Sequence, residues 1–347
     1  MAVNQEAWLN SVTEEVIEPE IPICDAQISF SDDQRENVIN LAQISRKEQL
    51  ENIYDKQKFM KDISGGHNVL KTVYVEYSQR RRTDGPEELR PVGETEYVRS
   101  VAGEYPTSYG TIELAAGMVA QADLGLGDAV KPVLEAHLEA GGKMVRGVRF
   151  RCVWDADTKI KSYSPPFIMY DQKFREGFAC LKKYDLSFDA FLYFKQLPDL
   201  IDLARAFPDI PVIVNHIGGT LGVGSYAGRR EEFFPIWKKW VAELATFPNV
   251  YIKLGGEGNI RCGYDWHLRP IPPSSQELAS AWSPYFNWCI ENFGSRRCMF
   301  ESNFPADRKS CSYTVIWNAF KRIAKRYSEE DKRSLFYRTA VEAYGLE

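Results

Sequence analysis

The feature that most constrains this chain is the regular alternation of short β-branched runs with longer stretches of helical pattern. The predicted strands are Ile21–Ile28, Val69–Tyr77, Ala115–Ala122, Val145–Phe150, Leu186–Leu192, Val212–His216, Val250–Leu254 and Cys298–Ser302. The predicted helices are Ala129–Ala140, Gln172–Lys183, Leu197–Ala206, Phe233–Ala245, Gln276–Asn292 and Tyr313–Arg326. Strands that alternate with helices are typical of a parallel sheet. Eight such units close a barrel, so we predict an α/β fold, a (β/α)8 TIM-type barrel.

The predicted barrel is a single domain over residues 21–347, preceded by an N-terminal extension over residues 1–20. The chain has 347 residues, within the range of barrels that carry insertions. Residues 31–66 are highly charged, end in Gly65-Gly66 and fit no strand–helix unit. We interpret them as a partly helical insertion after the first strand, on the side where barrel active sites lie. The alternative is a solvated excursion with no role.

Charge, hydrophobicity and cysteine content limit the kinds of molecule that the chain is expected to bind. The formal net charge of −5 argues against a general binder of nucleic acid or anionic membranes. No segment approaches the about 20 apolar residues of a membrane span, and Met1–Glu20 lacks the features of a signal peptide. The seven Cys are scattered without a CxxC pair, which indicates neither disulfides nor structural zinc. We expect a cytoplasmic protein with a small-molecule substrate, no nucleic-acid partner and no membrane; the oligomeric state stays open, with a homodimer as one candidate.

Several short motifs occur in a fixed order along the chain. They are Ile23-Cys24-Asp25, Gly66-His67-Asn68-Val69, Val75-Glu76, Arg90-Pro91-Val92-Gly93-Glu94-Thr95-Glu96, Leu186-Ser187-Phe188-Asp189, Val214-Asn215-His216-Ile217-Gly218-Gly219, Lys253-Leu254-Gly255-Gly256 and Phe300-Glu301-Ser302-Asn303-Phe304-Pro305. This ordered set resembles the amidohydrolase superfamily, in particular a subgroup that includes lactonases. The resemblance implies a barrel whose active site lies at the mouth and whose chemistry is hydrolysis.

The sequence departs from that family at the metal positions. The resemblance implies a His-x-His pair in the first strand of members that bind metal, and here Gln27 and Ser29 occupy those places. Asn303 stands where many relatives have an Asp before Phe-Pro. Gln and Ser are poor zinc ligands, and an Asn cannot act as a base. We therefore predict no metal and no other cofactor; convergence of Asp25, His216 and Asp307 on a weak metal site is the alternative.

Two arginines at the end of the fourth predicted strand are candidates for substrate binding. Period-two alternation places Arg149 and Arg151 on the same inward face. Two guanidiniums can hold a carboxylate or polarise a carbonyl oxygen. A buried ion pair with Glu76 or Asp189 is the alternative, and the sequence leaves both open.

Three residues are candidates for catalysis. His216 follows an apolar strand and is predicted at the barrel mouth, where it could orient a carbonyl or move a proton. Asp307 is the nearest carboxylate to Asn303 and could activate water without a metal, and Glu301 competes for that role. A structural His and a capping or Arg-paired Asp are the alternatives.

The remaining predicted substrate-binding residues lie at strand ends and in one loop. They are Gln27, Ser29, Glu76, Tyr226, Arg229 and Asn303. The glycine-rich segment before Tyr226 could close over a substrate or simply lead into a helix. Together these features favour a metal-independent, lactonase-like hydrolase of a lactone or activated ester of a small anionic or aromatic compound. A lyase or isomerase of specialised (secondary) metabolism, and a non-catalytic relative, are the alternatives.

Overall fold

A computed structural model describes residues 5–31 and 53–347 of the chain. Its strands are β1 (Ile23–Ile28), β2 (Val69–Val75), β3 (Gly103–Thr107), β4 (Gly110–Gln121), β5 (Val145–Arg151), β6 (Ser187–Phe191), β7 (Val212–Val214), β8 (Val250–Leu254) and β9 (Cys298–Phe300). All except β3 form a parallel sheet in the order β1-β2-β4-β5-β6-β7-β8-β9. A parallel bridge between Ile28 and Phe304 brings the chain after β9 back against β1. The predicted (β/α)8 barrel is therefore confirmed.

Helices connect consecutive barrel strands on the outside of the sheet. The α-helices of five or more residues in the described chain are Gln5–Leu9, Lys56–Ile63, Val92–Val101, Lys131–Gly141, Gln172–Lys183, Leu197–Ala206, Arg230–Leu244, Ser275–Phe293, Tyr313–Ala324, Glu329–Arg333 and Thr339–Ala343. Two of these helices begin after a serine N-cap. Ser274 forms a capping box with Glu277, and the Ser328 side chain accepts a hydrogen bond from the Asp331 amide.

One hairpin differs from the predicted third strand, which was expected to begin at Ala115. β4 instead begins at Gly110, because β3 pairs with its first half in antiparallel register from Gly103↔Leu114 to Thr107↔Gly110. Pro106 and Glu104 make β3 resemble a loop in the sequence. Proline is nevertheless tolerated in an edge strand, where its missing N–H faces no partner.

The predicted N-terminal extension and insertion are described only in part. Residues 1–4 and 32–52 lie outside the described residues. The indole of Trp8 donates to the backbone carbonyl of Arg269 at 2.9 Å, and the amide of Ile17 donates to Asn318 Oδ1 at 2.9 Å. Within the predicted insertion, Asp55 caps the helix Lys56–Ile63 by accepting from the Lys58 amide at 2.9 Å. Residues 5–20 therefore pack against the barrel's later loops and helices.

Apolar side chains fill the barrel interior. They include Ala26, Val73, Val119, Ile213 and Met299, all fully buried. Three side chains of the C-terminal segment pack against this interior cluster: Ala340, Tyr344 and Leu346. A larger apolar cluster fills the layer between strands and helices. No helix of the described chain has both the length and the apolar character that a membrane crossing requires.

Candidate active site

A cavity of about 620 Å³ opens where the barrel strands end. Gln27 reaches it from β1, Arg149 and Arg151 from β5, Phe191 from β6, and His216 from the turn after β7. The other lining residues are Tyr77, Lys159, Ile160, Lys161, Tyr163, Tyr193, Val223, Asn259, Ile260, Arg261, Asn303 and Ala306. Active sites of barrels lie at this face, and a volume of this size suits a small organic ligand.

The cavity wall is strongly cationic. Five of its described lining residues carry a positive charge: Arg149, Arg151, Lys159, Lys161 and Arg261. None of the lining residues in the described chain is a carboxylate. The acidic groups of the region, including Glu76, Glu301 and Asp307, are fully buried behind the wall. The cavity therefore favours an anionic or electron-rich ligand.

Glu76 anchors the two arginines of β5. Its carboxylate accepts from Arg149 Nε at 2.7 Å and from Arg151 Nη2 at 2.7 Å. Burial alone would raise the pKa of Glu76, but Arg151 and Arg149 outweigh burial and lower that pKa to about 2. The ion pair that the sequence left open is thus formed with Glu76, while Asp189 pairs with Lys253 instead.

Pairing with Glu76 does not remove the arginines from the cavity. The Nη1 groups of Arg149 and Arg151 make no hydrogen bond to any part of the chain that the structure describes. One carboxylate also neutralises only one of the two guanidiniums. Both alternatives from the sequence are therefore compatible: the arginines form a buried ion pair and still present N–H donors to a ligand.

His216 and Glu301 form a buried pair at the cavity floor. His216 Nδ1 lies 2.6 Å from Glu301 Oε1, and only the histidine lines the cavity. Burial, reinforced by the nearby positive charge of Arg261, lowers the pKa of His216 well below its usual value. Burial raises the pKa of Glu301 to about 7, although Lys253 opposes this shift. His216 is therefore a neutral imidazole at ordinary pH.

A chain of hydrogen bonds fixes which nitrogen of His216 carries the proton. Lys253 Nζ can only donate, and it lies 3.0 Å from Gln27 Oε1. The Gln27 amide must then turn its Nε2 toward Asn303 Oδ1 at 3.2 Å and toward His216 Nε2 at 3.5 Å. Because Gln27 Nε2 is a donor, His216 Nε2 has to be the unprotonated nitrogen, and Nδ1–H donates to Glu301. The lone pair of His216 Nε2 therefore points toward the Gln27 amide, which also lines the cavity.

Lys253 is itself held by a fully buried counter-ion. Its Nζ lies 2.8 Å from Asp189 Oδ2, and both side chains are inaccessible to solvent. Asp189 also accepts from Asn215 Nδ2 at 2.7 Å and from Tyr344 OH at 3.0 Å. A buried ion pair is stable only when its remaining polar atoms are satisfied, and here three donors serve one carboxylate. The C-terminal Tyr344 thereby supports the floor of the cavity.

Two glycines after β8 pack against the histidine–glutamate pair. A Cβ at Gly255 would lie 2.3 Å from Glu301 Cγ. A Cβ at Gly256, where φ is +77°, would lie 2.5 Å from His216 Cβ. His216 and Asn303 themselves adopt left-handed backbone conformations, with φ of 54° each. Such conformations cost non-glycine residues about 1–3 kcal/mol and cluster at functional sites.

Asp307 does not line the cavity but contacts Asn303, which does. Its Oδ1 accepts from Asn303 Nδ2 at 2.7 Å, and its Oδ2 accepts from the Gly258 amide at 2.9 Å. Burial raises the pKa of Asp307 to about 8, against an opposing effect of Arg261. The structure therefore brings Asn303, but not Asp307, to the cavity surface.

Four predicted substrate-binding residues are not among those lining the cavity: Ser29, Glu76, Tyr226 and Arg229. Glu76 is buried behind the wall, where it pairs with Arg149 and Arg151. Ser29 donates its hydroxyl to the Val75 carbonyl at 2.7 Å and is buried between strands. Tyr226 is buried against Phe194 and Phe233 and donates its hydroxyl to Asp155. Arg229 forms an exposed ion pair with Glu232. Of the glycine-rich loop, Val223 alone contributes to the described cavity lining.

Sequence reasoning did not identify Lys253, Phe191 or Arg261 as site residues. Lys253 is a single charged residue within an otherwise apolar strand, a signal that could have been used. Phe191 lies at the centre of the wall, with its ring centroid 5.6 Å from the guanidinium carbons of both Arg149 and Arg261. Arg261 belongs to a loop without periodicity, so no sequence pattern indicated its position.

The metal positions are occupied by groups that bond to protein partners. Ser29 is committed to a backbone carbonyl, and the Gln27 amide to Lys253 and Asn303. Over residues 5–31 and 53–347, no three His, Cys, Asp or Glu side chains converge as metal ligands would. The ammonium of Lys253, 3.0 Å from Gln27 Oε1, already places a cation beside these positions.

Comparison with known sequences gives a consistent result. A family model described as Amidohydrolase matches residues 60–346. An uncharacterized protein named y4mH from Sinorhizobium fredii is 30% identical over 277 residues, which cover 80% of this chain and 81% of that protein. An L-fucono-1,5-lactonase from Burkholderia multivorans is 25% identical over 270 residues, which cover 75% of this chain and 86% of that enzyme.

Comparison with solved structures supports the same architecture. An amidohydrolase from Burkholderia multivorans, solved with bound zinc, superposes with a TM-score of 0.68 at 20% sequence identity. The alignment covers 94% of this chain and 99% of that protein. At this identity the likeness establishes the shared barrel fold.

Proposed function

Since this chain belongs to the amidohydrolase family, we propose that it is a hydrolase that opens a lactone or similarly activated ester without a metal ion. The observation that carries the proposal is the pair His216–Glu301, whose histidine lines the cavity and whose Nδ1 lies 2.6 Å from the glutamate. A nitrogen base held by a carboxylate is the arrangement that activates a nucleophile in many hydrolases. The lactonase among the relatives supports the choice of a lactone.

His216 takes the role of general base in this proposal. A cavity water first replaces the 3.5 Å contact between Gln27 Nε2 and His216 Nε2. Nε2 then removes a proton from that water while the water oxygen forms a bond to the lactone carbonyl carbon. The carbonyl π electrons move onto the carbonyl oxygen. The ring C–O bond then breaks, and the leaving alkoxide takes the proton back from the imidazolium to give a hydroxy acid. Glu301 stabilises the imidazolium through Nδ1–H.

Arg149 and Arg151 stabilise the negative charge that develops on the carbonyl oxygen. Their Nη1 groups form no hydrogen bond to the described residues, and Glu76 holds both side chains in place. Preorganised donors of this kind contribute a large share of the rate enhancement in acyl transfer. Asn303 and Gln27 line the same cavity and complete the polar contacts to substrate. Asp307 acts through Asn303 as a positioning residue.

The residues present do not fit the metal that the fold family implies. Gln27 and Ser29 replace the histidine pair, and Asn303 supplies a neutral oxygen that already accepts from Gln27. An ammonium lies beside Gln27, so a second cation there would meet repulsion in a buried site. An activated ester hydrolyses far more readily than an amide, and one base with positioned donors suffices for it.

Isotope incorporation tests the proposed reaction. The purified protein is assayed against a panel of five- and six-membered lactones and aryl esters in oxygen-18 water. We expect ring opening that places one label in each product carboxylate. An unlabelled product would instead favour a lyase or isomerase. Absence of turnover across the panel, in a protein that is folded, would contradict the hydrolase proposal.

A further inference from the structure

Arg261 is a cavity cation that forms no ion pair with any carboxylate of residues 5–31 and 53–347. Its Nε and Nη2 atoms are shielded from solvent, and they make no hydrogen bond to the described residues. Arg149 and Arg151, by contrast, share Glu76. A shielded donor without a partner costs about 1–3 kcal/mol, and more when the group is charged. Among the described residues these donors have no partner, and a small rotation of the Arg261 side chain at the cavity wall would present them to a ligand.

The backbone holds Arg261 at a fixed place on the wall. The Gly222 amide donates to the Arg261 carbonyl at 2.8 Å, and the Asn259 side chain accepts from the Arg261 amide at 3.1 Å. The guanidinium carbon lies 5.6 Å from the centroid of the Phe191 ring. The backbone position of Arg261 is thus fixed by protein groups, while the guanidinium rests beside the Phe191 ring.

The surroundings of Arg261 combine charge with apolar surface. Phe191, Val223 and Ile260 line the same cavity. Lys159 and Lys161, also lining residues, are exposed, so their charge extends into solvent. Exposed cations around a cavity attract anions and raise their rate of association. An organic acid matches this arrangement, because its apolar body contacts the wall while its charge reaches the guanidinium.

We propose that Arg261 binds a carboxylate of the substrate, so that the cavity takes organic acids in preference to neutral compounds. The proposal deepens the hydrolase function above, on which it rests, by naming the chemical class of the substrate. A guanidinium presents a planar fork of donors that matches a carboxylate in two-point contact. In this arrangement Arg261 binds the substrate's own carboxylate, and Arg149 and Arg151 remain available for the carbonyl that reacts.

Binding without turnover tests the proposal separately from the reaction. Isothermal titration calorimetry on the full chain compares the carboxylates acetate, benzoate and citrate with the neutral amides acetamide and benzamide. Arg261→Met removes the fork, and Arg261→Lys keeps the charge but loses the planar geometry. Arg269→Met is the matched control, because Arg269 lies in the same loop but pairs with Glu277 at 3.0 Å and is not among the lining residues.

We expect at least one carboxylate to bind the wild type more tightly than any neutral amide. Arg261→Met should weaken that binding roughly ten- to a hundredfold, the range of a charged hydrogen bond, with Arg261→Lys between the two and Arg269→Met unchanged. Equal affinity for benzoate and benzamide would overturn the proposal. It would also fail if no carboxylate bound, or if Arg261→Met behaved like Arg269→Met. A positive result would stand even if no lactone were hydrolysed.

Discussion

Nδ1 of His216 lies 2.6 Å from Oε1 of Glu301, while the His216 side chain lines the cavity. If His216 is the base, His216→Gln should lower kcat by about 10²–10⁴ and leave KM nearly unchanged. His267→Gln removes a histidine that does not line the cavity and should retain full activity. Steady-state kinetics on the three proteins, with melting temperatures to confirm folding, give the comparison.

Asp307→Asn separates His216 from the competing carboxylate. Asp307 accepts two hydrogen bonds behind the wall, so the amide should disturb Asn303 and reduce activity without abolishing it. The pH profile of the variant should stay that of the wild type. Loss of activity as complete as in His216→Gln, together with a changed profile, would assign the base to Asp307.

The activity should depend on the ionisation of Glu301. The pKa of Glu301 is raised to about 7 by burial, and only the ionised carboxylate can stabilise the imidazolium that forms on His216. We expect kcat/KM to fall as the pH drops below about 7, with an apparent pKa that belongs to the coupled pair. Glu301→Gln should be slower and lack this acid limb. A flat profile of the wild type across this range would contradict the assignment.

Metal content gives an independent test of the site chemistry. The purified protein should contain less than one zinc per chain, and dialysis against a chelator should leave its activity intact, because Gln27, Ser29 and Asn303 bond to protein groups. Elemental analysis and activity are measured on the same samples. One tightly bound transition metal per chain, removed together with activity, would refute metal independence.

Removal of Arg149 should lower the stability of the fold as well as the rate of the reaction. Arg149 is 4% exposed, and its loss removes two charged hydrogen bonds to Glu76 while the Glu76 charge stays paired with Arg151. Arg149→Met should lower the free energy of unfolding by about 1.5–3 kcal/mol. Arg269→Met breaks an exposed pair and should cost at most about 1 kcal/mol. Denaturant titration compares them.

The same ion pairs set a pH dependence of stability. The pKa of Glu76 is about 2 in the folded protein, whereas the ordinary pKa of a glutamate carboxyl is 4.5. A depressed carboxyl pKa stabilises the fold above the unfolded value, and that contribution is lost as the pH falls toward about 2. Glu76→Gln should weaken this acid-induced loss. Equal stability of Arg149→Met and Arg269→Met at neutral pH would show that Glu76 finds other compensation.

The barrel could be predicted because its signal is repeated eight times along the chain. Short β-branched strands and long helices alternate, so an error in one unit does not change the architecture. The hairpin of Gly103–Thr107 with β4 could not be predicted in the same way. Its stability depends on pairing between strands rather than on composition, and β-propensity is weak for a segment containing Glu104 and Pro106.

The site was predictable where strand position fixes the direction of a side chain. Gln27, Arg149 and Arg151 follow strand parity and do line the cavity. Side chains on irregular segments have no such parity, which explains why Arg261 was missed and Arg229 was placed at a cavity it does not line. The sequence also could not show whether another side chain separates a residue from the cavity, as Asn303 separates Asp307 from it.

Gly255 and Gly256 have a consequence for how this protein tolerates mutation. Any side chain at either position would overlap Glu301 or His216, and φ of +77° at Gly256 adds backbone strain. A saturation library scored for activity should therefore show almost no accepted substitutions there. These positions contribute no functional group, yet they should tolerate as few substitutions as His216 does. An inherited Gly-Gly pair after β8 would then be a better marker of an intact active centre than the absent histidines of β1.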